Sequence, residues 1–203
     1  NFRYRIEGRL RSVGIELESG HAHLTASMLY HAAPLDYARA ALEMGHTVVL
    51  LDGWTPELLL QTIEARRVTT AFMVPSLFVR LLRLGAAVRA RYSMASLRFV
   101  VHGGAPCPPE IKHAMLEWWG DVIFESYGAC EAQGTLVSPS EWRANEGTVG
   151  RPIPGSKLMI LGNDGRELLP GEIGTVYLTP YTGDSFQYLG DADFSMMIST
   201  NFS

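Results

Sequence analysis

The chain has 203 residues, a length that fits one large domain or two small ones and allows a buried core. Hydrophobic residues make up 47% of it and charged residues 19%, a composition that excludes disorder, collagen and coiled coil. Seventeen Lys and Arg against 21 Asp and Glu give a net charge of -4, and the basic residues are scattered. We therefore expect no nucleic-acid partner.

The sequence contains no apolar run of the roughly 18 residues that a membrane-spanning helix needs, and its first residues lack the apolar stretch of a secretory signal. We predict no membrane span and a cytoplasmic protein. Two cysteines, Cys107 and Cys130, are too few for a disulfide framework and lack metal-ligand spacing. Both ends stop without a boundary signal, which predicts a central fragment of a longer protein.

Residues 1–20 alternate apolar and charged side chains, which predicts an edge strand or an ordered tail. Short strands that are apolar on both faces then alternate with helices as far as residue 135. Thr55 and Pro56 are a typical N-cap and first residue of a helix. This alternation predicts an α/β fold with a mostly parallel sheet and flanking helices. The predicted strands are 47–51, 70–74, 97–102 and 122–126, and the predicted helices lie around 37–42, from 56, and over 75–84 and 108–119.

The pattern changes after residue 145. Short strands over 156–161 and 174–179 surround the turn at 162–165, and Pro and Gly close each segment. This pattern predicts a small β-rich subdomain. The predicted organisation is a tail or edge strand over 1–20, an α/β subdomain over 21–145 and the start of the β-rich subdomain over 146–203.

The loops after two predicted strands contain the candidate site, because ligands of open α/β sheets bind beyond the carboxyl ends of the strands. Gly103 and Gly104 let the backbone approach a flat ligand, although a Gly pair is also common in tight turns. The second loop places the aromatic ring of Tyr127 close to the carboxylate of Glu131. Such a carboxylate either binds magnesium or lies in a solvated loop.

A second interpretation of the same loop is a nucleophile elbow. Residues 128–132 have the outline small-x-Cys-x-small, as in α/β-hydrolases that use Cys, with Cys130 as nucleophile. That fold places its His base after the nucleophile, and no His follows Cys130 in this sequence. A Cys-dependent hydrolase and a non-catalytic nucleotide-binding or assembly module both stay open as alternatives.

Six short segments in order resemble the adenylate-forming enzymes, specifically the fatty-acyl or bile-acid-like CoA ligases. The resemblance runs from about residue 21 to 191 and implies that a carboxylate attacks the α-phosphate of ATP to form acyl-AMP. A thiol, of CoA or a carrier protein, then displaces AMP, with Mg²⁺ on the phosphates. The six segments are 30–34, 73–78, 102–106, 127–131, 147–152 and 170–174.

The resemblance also assigns roles to individual residues. Tyr127 stacks on adenine, Glu131 is the magnesium ligand and catalytic carboxylate, and His31 borders the tunnel for the acid. Cys130 stands at the catalytic position where the family usually has Thr, whose hydroxyl donates to the α-phosphate. Gly103 lines both the adenine site and the acyl pocket. The remaining nucleotide-binding residues are Gly104, Ala105, Glu125 near the adenine amino group, Ser126, Gly128 and Ala129.

The phosphate loop, the ribose carboxylate and the lid domain of that family match no part of this sequence. The resemblance therefore predicts that the fragment is inactive alone and binds nucleotides weakly. It also predicts an exposed apolar surface that favours a homodimer or aggregation.

Overall fold

The computed structural model describes residues 7–8, 10–11, 20–129, 133–154 and 156–178. The described strands are β1 (Ala22–Thr25), β2 (Thr47–Leu50), β3 (Thr70–Met73), β4 (Phe99–His102), β5 (Ile123–Gly128), β6 (Gln133–Val137), β7 (Arg151–Pro152), β8 (Leu158–Leu161) and β9 (Thr175–Leu178). The described helices are α1 (Ala32–Glu43), α2 (Pro56–Ala65), α3 (Pro75–Leu82), α4 (Ala86–Arg89), α5 (Pro109–Trp119) and α6 (Pro139–Ala144).

Seven strands form one sheet in the order β2-β1-β3-β4-β5-β6-β7. Strand β1 pairs in parallel with β2 and β3, and the parallel pairing continues from β3 to β4 and from β4 to β5. Helices connect these strands, as parallel pairing requires. The predicted α/β fold with a mostly parallel sheet is confirmed.

The central strands are buried on both faces of the sheet. In β3, Ala71 and Met73 belong to a core cluster with residues of α2, α3 and α5, whereas Phe72 belongs to a second cluster with Tyr37 of α1. Strand β4 alternates in the same way, since Val100 lies in the first cluster and its two neighbours lie in the second. Burial on both faces explains why these strands are continuous apolar runs in the sequence.

Local capping fixes where two helices begin. Thr55 is the N-cap of α2, and its hydroxyl oxygen accepts from the backbone N–H of Leu58 at 3.1 Å, as its sequence predicted. Ser138 and Glu141 form a reciprocal capping box at the start of α6. Each cap satisfies backbone donors that the helix itself leaves free.

The described part of the N-terminal segment is helical, whereas its alternating pattern predicted either an edge strand or an ordered tail. Glu7, Gly8, Leu10 and Arg11 have helical backbone, so the edge strand is not found at these residues. The guanidinium of Arg11 pairs with the carboxylate of Glu7 at 2.9 Å, one helical turn away, and Leu10 is buried in the same cluster as Tyr37. An ion pair at this spacing and one buried apolar residue both favour the helix.

The described residues divide into two compact units, one within 1–127 and 135–151 and the other within 128–134 and 152–203. The second unit contains an antiparallel sheet in which Leu158 of β8 lies opposite Leu178 of β9. This small sheet corresponds to the strands predicted over 156–161 and 174–179. Among the described helices, none has the length and apolar character needed to cross a bilayer.

Candidate functional site

The loops after β3, β4 and β5 lie at one edge of the sheet. Met73 is the register partner of His102, and His102 is the register partner of Glu125. Because these strands are parallel, their carboxyl ends meet at the same edge, where open α/β sheets bind ligands. The loop from β1 to α1 leaves β1 at that edge as well.

Gly103 brings the loop after β4 into direct contact with β5. A side-chain carbon added at Gly103 would lie 2.6 Å from the backbone oxygen of Ser126, which is shorter than real contacts allow. The N–H of Gly103 donates to the backbone oxygen of Met73 at 3.3 Å. Only glycine therefore fits this position without moving β5.

Gly104 turns the chain away from this contact with φ of +79°, a conformation that favours glycine. An added side-chain carbon there would meet only the side chain of Val74, at 3.9 Å. The surface above Gly104 is consequently open. The sequence did not identify Val74 as part of the site, although its position directly after β3 is the signal that could have done so.

Tyr127 provides an aromatic surface at the same edge. It is the fifth residue of β5 and is 39% exposed, while Ser126 before it is half-buried. Gly104, Ala105, Gly128 and Ala129 are also exposed. Two glycine backbones and a partly exposed aromatic ring are features that a flat heteroaromatic ligand such as adenine requires.

Glu125 points into the protein rather than toward this open surface. Its side chain is on the same side of β5 as buried Ile123, and one carboxylate oxygen, Oε2, accepts from Nζ of Lys112 at 2.5 Å. Lys112 is completely buried on α5. The sequence contained a signal for this Lys, because it precedes the buried residues Met115, Leu116 and Trp119 by three, four and seven positions. The predicted role of Glu125 near the adenine amino group stays a prediction.

His102 and Cys107 flank the glycine loop, and both are uncharged near neutral pH. Burial and then the charge of Lys112 lower the pKa of His102 from 6.5 to about 3. Burial and then the carboxylate of Glu125 raise the pKa of the Cys107 thiol from 9.0 to about 11. Burial also lowers the pKa of Lys112, while its hydrogen bond to Glu125 acts in the opposite direction. Cys107 is thus poorly suited to act as a nucleophile.

His31 lies at the N-cap of α1, in the loop that follows β1. Its side chain is exposed, and its ring lies 4.5 Å from the ring of Tyr30, measured between centroids. His31 is therefore at the same edge of the sheet as the glycine loop. Its predicted contact with the acid stays a prediction.

The predicted catalytic residues Cys130 and Glu131 lie outside the residues that the structure describes. The predicted magnesium ligand is one of them. Within 20–129, 133–154 and 156–178, no group of three His, Cys, Asp or Glu residues has the arrangement of a metal site.

Comparison with known sequences identifies similar proteins over most of the chain. The family described as AMP-binding enzyme matches residues 6–181. Feruloyl-CoA synthase from an Amycolatopsis species is 32% identical over 171 residues, which are 82% of this chain and 34% of that protein. Acetyl-coenzyme A synthetase from Bacillus subtilis (strain 168) is 30% identical over 139 residues, 65% of this chain and 23% of that protein. The chain spans about a third or less of the length of these curated relatives.

Solved structures show the same fold. An amide bond synthetase from Marinactinospora thermotolerans has a TM-score of 0.72 with 28% identity, covering 87% of this chain and 37% of that one. An o-succinylbenzoate CoA synthetase from Bacillus subtilis has a TM-score of 0.79 over 97% of this chain and 39% of that one. The identity with the second structure is 22%, so it supports the fold alone.

Proposed function

The chain belongs to the AMP-binding enzyme family, and we propose that the protein activates a hydrophobic carboxylic acid with ATP and transfers the acyl group to a thiol. One observation carries this proposal. The backbone of Gly103 packs directly on the backbone of Ser126, beside the partly exposed ring of Tyr127. Beside this contact, Gly104, Ala105 and the ring of Tyr127 are exposed at the ligand-binding edge of the sheet, which supports a place for an adenine base.

The proposed reaction has two steps. In the first, a carboxylate oxygen of the acid forms a bond to the α-phosphorus of ATP, the bond to the β-phosphate oxygen breaks, and pyrophosphate leaves. In the second, the sulfur of the thiol forms a bond to the acyl carbon, AMP leaves, and the thiol proton is released. The first step thus stores the energy of ATP in a mixed anhydride that the thiol attacks.

Each described residue of the candidate adenine site has a role in this proposal. Gly103, Gly104 and Ala105 form the floor of the adenine site, and Tyr127 stacks on the base. A stacked pair contributes about 1 kcal/mol beyond the area that it buries. Ser126, Gly128 and Ala129 continue the same strand and loop.

The phosphates require further groups that lie beyond the described residues. Glu131 is the proposed magnesium ligand, because a carboxylate near a triphosphate is repelled unless a cation lies between them. Magnesium would reduce the negative charge on the phosphates and so favour attack by a second anion, the carboxylate. Cys130 would donate more weakly to the α-phosphate than the usual Thr hydroxyl.

The proposed acid is fatty or ring-bearing, and the proposed thiol is CoA or a carrier-protein thiol. The family resemblance suggests a long acyl chain or a bile-acid-like ring system, and His31 is proposed to border its carboxylate. The names of the relatives concern feruloyl and acetyl groups. A substrate panel should therefore include fatty, aromatic and short acids.

Product analysis of the full-length protein tests the proposal. Each acid is supplied with ATP, Mg²⁺ and CoA, and AMP, ADP, pyrophosphate and phosphate are measured. We expect AMP and pyrophosphate in equal amounts, formed only when a hydrophobic acid is present. ADP and phosphate as products, or no acid-dependent signal from any member of the panel, would contradict the proposed function.

A further inference from the structure

A buried charged pair lies directly beneath the candidate adenine site. Nζ of Lys112 lies 2.5 Å from Oε2 of Glu125, and Lys112 is fully buried while Glu125 is 9% exposed. Nζ also lies 4.7 Å from the centre of the Trp142 ring. The pair thus ties α5 to β5, and Trp142 of α6 lies against its positive charge.

The third polar group at this pair is the imidazole of His102. Its Nε2 atom lies 3.6 Å from the same oxygen of Glu125, too far for a hydrogen bond, and its ring is completely buried. Because His102 is neutral near pH 7, it does not compete with Lys112 as the cation that balances Glu125. In the described part of the chain, Lys112 is therefore the positive charge held closest to this carboxylate.

The two residues beside Lys112 are each one position away from the candidate site. Glu125 directly precedes Ser126 and Tyr127, and His102 directly precedes Gly103. The backbones of Gly103 and Ser126 are in contact, so a small shift of β5 relative to β4 would change the adenine floor. A side chain that holds Glu125 in place also holds the residues that face the ligand.

We infer that Lys112 is a positioning residue of the adenine site, which acts through Glu125 to fix β5 and Tyr127 against the glycine loop. This inference rests on the proposed function. Lys112 does not touch the ligand; it sets the geometry of groups that do. Its loss should therefore weaken the use of ATP specifically, and not that of the acid.

The main test is Lys112→Met in the full-length protein, which removes the charge and retains most of the side-chain volume. We expect the KM for ATP to rise about tenfold or more, since misplacing groups by about 1 Å is costly, while the KM for the acid changes less than about twofold. Acid-dependent pyrophosphate release is the assay. The matched control is Met115→Ala, one turn further along α5 and also fully buried, which leaves a cavity and retains both charges of the Lys112–Glu125 pair.

A second variant separates positioning from stability. Lys112→Met leaves a buried carboxylate without its partner, which lowers the melting temperature. The double variant Lys112→Met, Glu125→Gln removes both charges and retains the size of both side chains. We expect its melting temperature to recover toward that of the wild type, because no buried charge is left unpaired. Its KM for ATP should stay at least about fivefold raised, because the ion pair between α5 and β5 is still missing.

The possible outcomes distinguish failure of the positioning role from failure of the proposed function. If the KM for ATP of the double variant recovers together with its melting temperature, or if Met115→Ala raises that KM as much as Lys112→Met does, the positioning role is wrong and the proposed function stands. If Lys112→Met raises the KM for ATP and for the acid equally, the same conclusion holds. If the wild-type protein itself releases no pyrophosphate with any acid, the proposed function fails and the inference fails with it.

Discussion

Gly103 is the residue at which the site tolerates the least change. An added methyl group would lie 2.6 Å from the carbonyl oxygen of Ser126, so Gly103→Ala must displace either the glycine loop or β5. We expect the free energy of unfolding to fall by about 1–3 kcal/mol, as in other overpacked positions, and the KM for ATP to rise. Denaturant unfolding and pyrophosphate release measure the two effects.

Gly85→Ala is the control for Gly103→Ala, since an added carbon at Gly85 meets no atom within 4 Å and its φ is negative. The control should leave both the stability and the KM for ATP close to wild type. If Gly103→Ala behaves like Gly85→Ala in both assays, the close contact between the glycine loop and β5 does not shape the site.

Tyr127 should contribute its ring and not its hydroxyl group to nucleotide binding. We expect Tyr127→Ala to raise the KM for ATP about fivefold to tenfold through lost stacking and lost burial, and Tyr127→Phe to leave it nearly unchanged. Tyr177→Ala is the matched control, because Tyr177 has a similar exposure of 36% against 39% for Tyr127. Equal effects of the two alanine variants would argue against adenine stacking at Tyr127.

Two buried histidines should make the fold sensitive to acid. Burial, followed by the charge of His46, lowers the pKa of His23 to about 3, and burial followed by Lys112 lowers that of His102 to about 3. Both folded pKa values lie below the ordinary 6.5, so their stabilising effect is complete above pH 6.5 and is lost as the pH falls toward 3. Each histidine then lowers the free energy of unfolding by up to about 1.4 kcal/mol per pH unit.

Urea unfolding between about pH 7 and about pH 4.5 checks this expectation, because it measures how the free energy of unfolding changes with pH. His102→Gln should reduce the slope in this range, and His31→Gln, which changes an exposed histidine, should not. A slope for His102→Gln equal to that of the wild type would show that His102 does not take up a proton on unfolding.

At the scale of single residues, the sequence predicted the loops of the site better than the structural role of each residue in them. Gly103 and Gly104 directly follow a predicted strand, and this position made them candidates although a Gly pair is also common in tight turns. The role of Glu125 could not be predicted in this way. Alternation along β5 places its side chain toward α5, and its partner Lys112 is thirteen positions away in the sequence. A lysine on a buried helix face is uncommon, and its partner is defined only by tertiary packing.

The N-terminus of α2 offers a direct test of how local sequence sets an element. The Thr55 hydroxyl accepts from the N–H of Leu58, so Thr55→Ala should lower the free energy of unfolding by about 1 kcal/mol. Thr62 lies inside the same helix and donates only to the carbonyl oxygen of Leu58. Thr62→Ala should be neutral or slightly stabilising because Ala has the higher helix propensity. Thermal unfolding distinguishes the pair, and equal effects would argue against capping.

Strand β1 shows where the prediction of elements failed. It lies between β2 and β3 and all four of its residues are buried, yet its sequence contains His23 and Thr25 and is not a continuous apolar run. The Nδ1 atom of His23 is hydrogen-bonded to the hydroxyl of Thr70 on β3 at 2.8 Å. A polar side chain that finds its partner on a strand 47 residues away gives no local signal of burial.

At the scale of the whole molecule, the alternation of short apolar strands with helices was sufficient to predict the α/β class and the parallel sheet. The physical reason is that a strand buried on both faces has apolar residues at consecutive positions. Val100 and Val101 of β4 are an example, because they belong to the two different core clusters. The order β2-β1-β3-β4-β5-β6-β7 could not be predicted in this way, because strand order depends on contacts between distant segments.

Acid-dependent exchange of labelled pyrophosphate into ATP tests the central claim most directly, since it reports reversal of the first step without any thiol. The full-length protein is incubated with ATP, Mg²⁺, labelled pyrophosphate and one hydrophobic acid, and CoA is left out. We predict that label enters ATP only when the acid is present, and that Tyr127→Ala needs more ATP to reach the same rate. Exchange without acid, or its absence with every acid of the panel, would contradict an acyl-adenylate and the adenine site at the ends of β4 and β5.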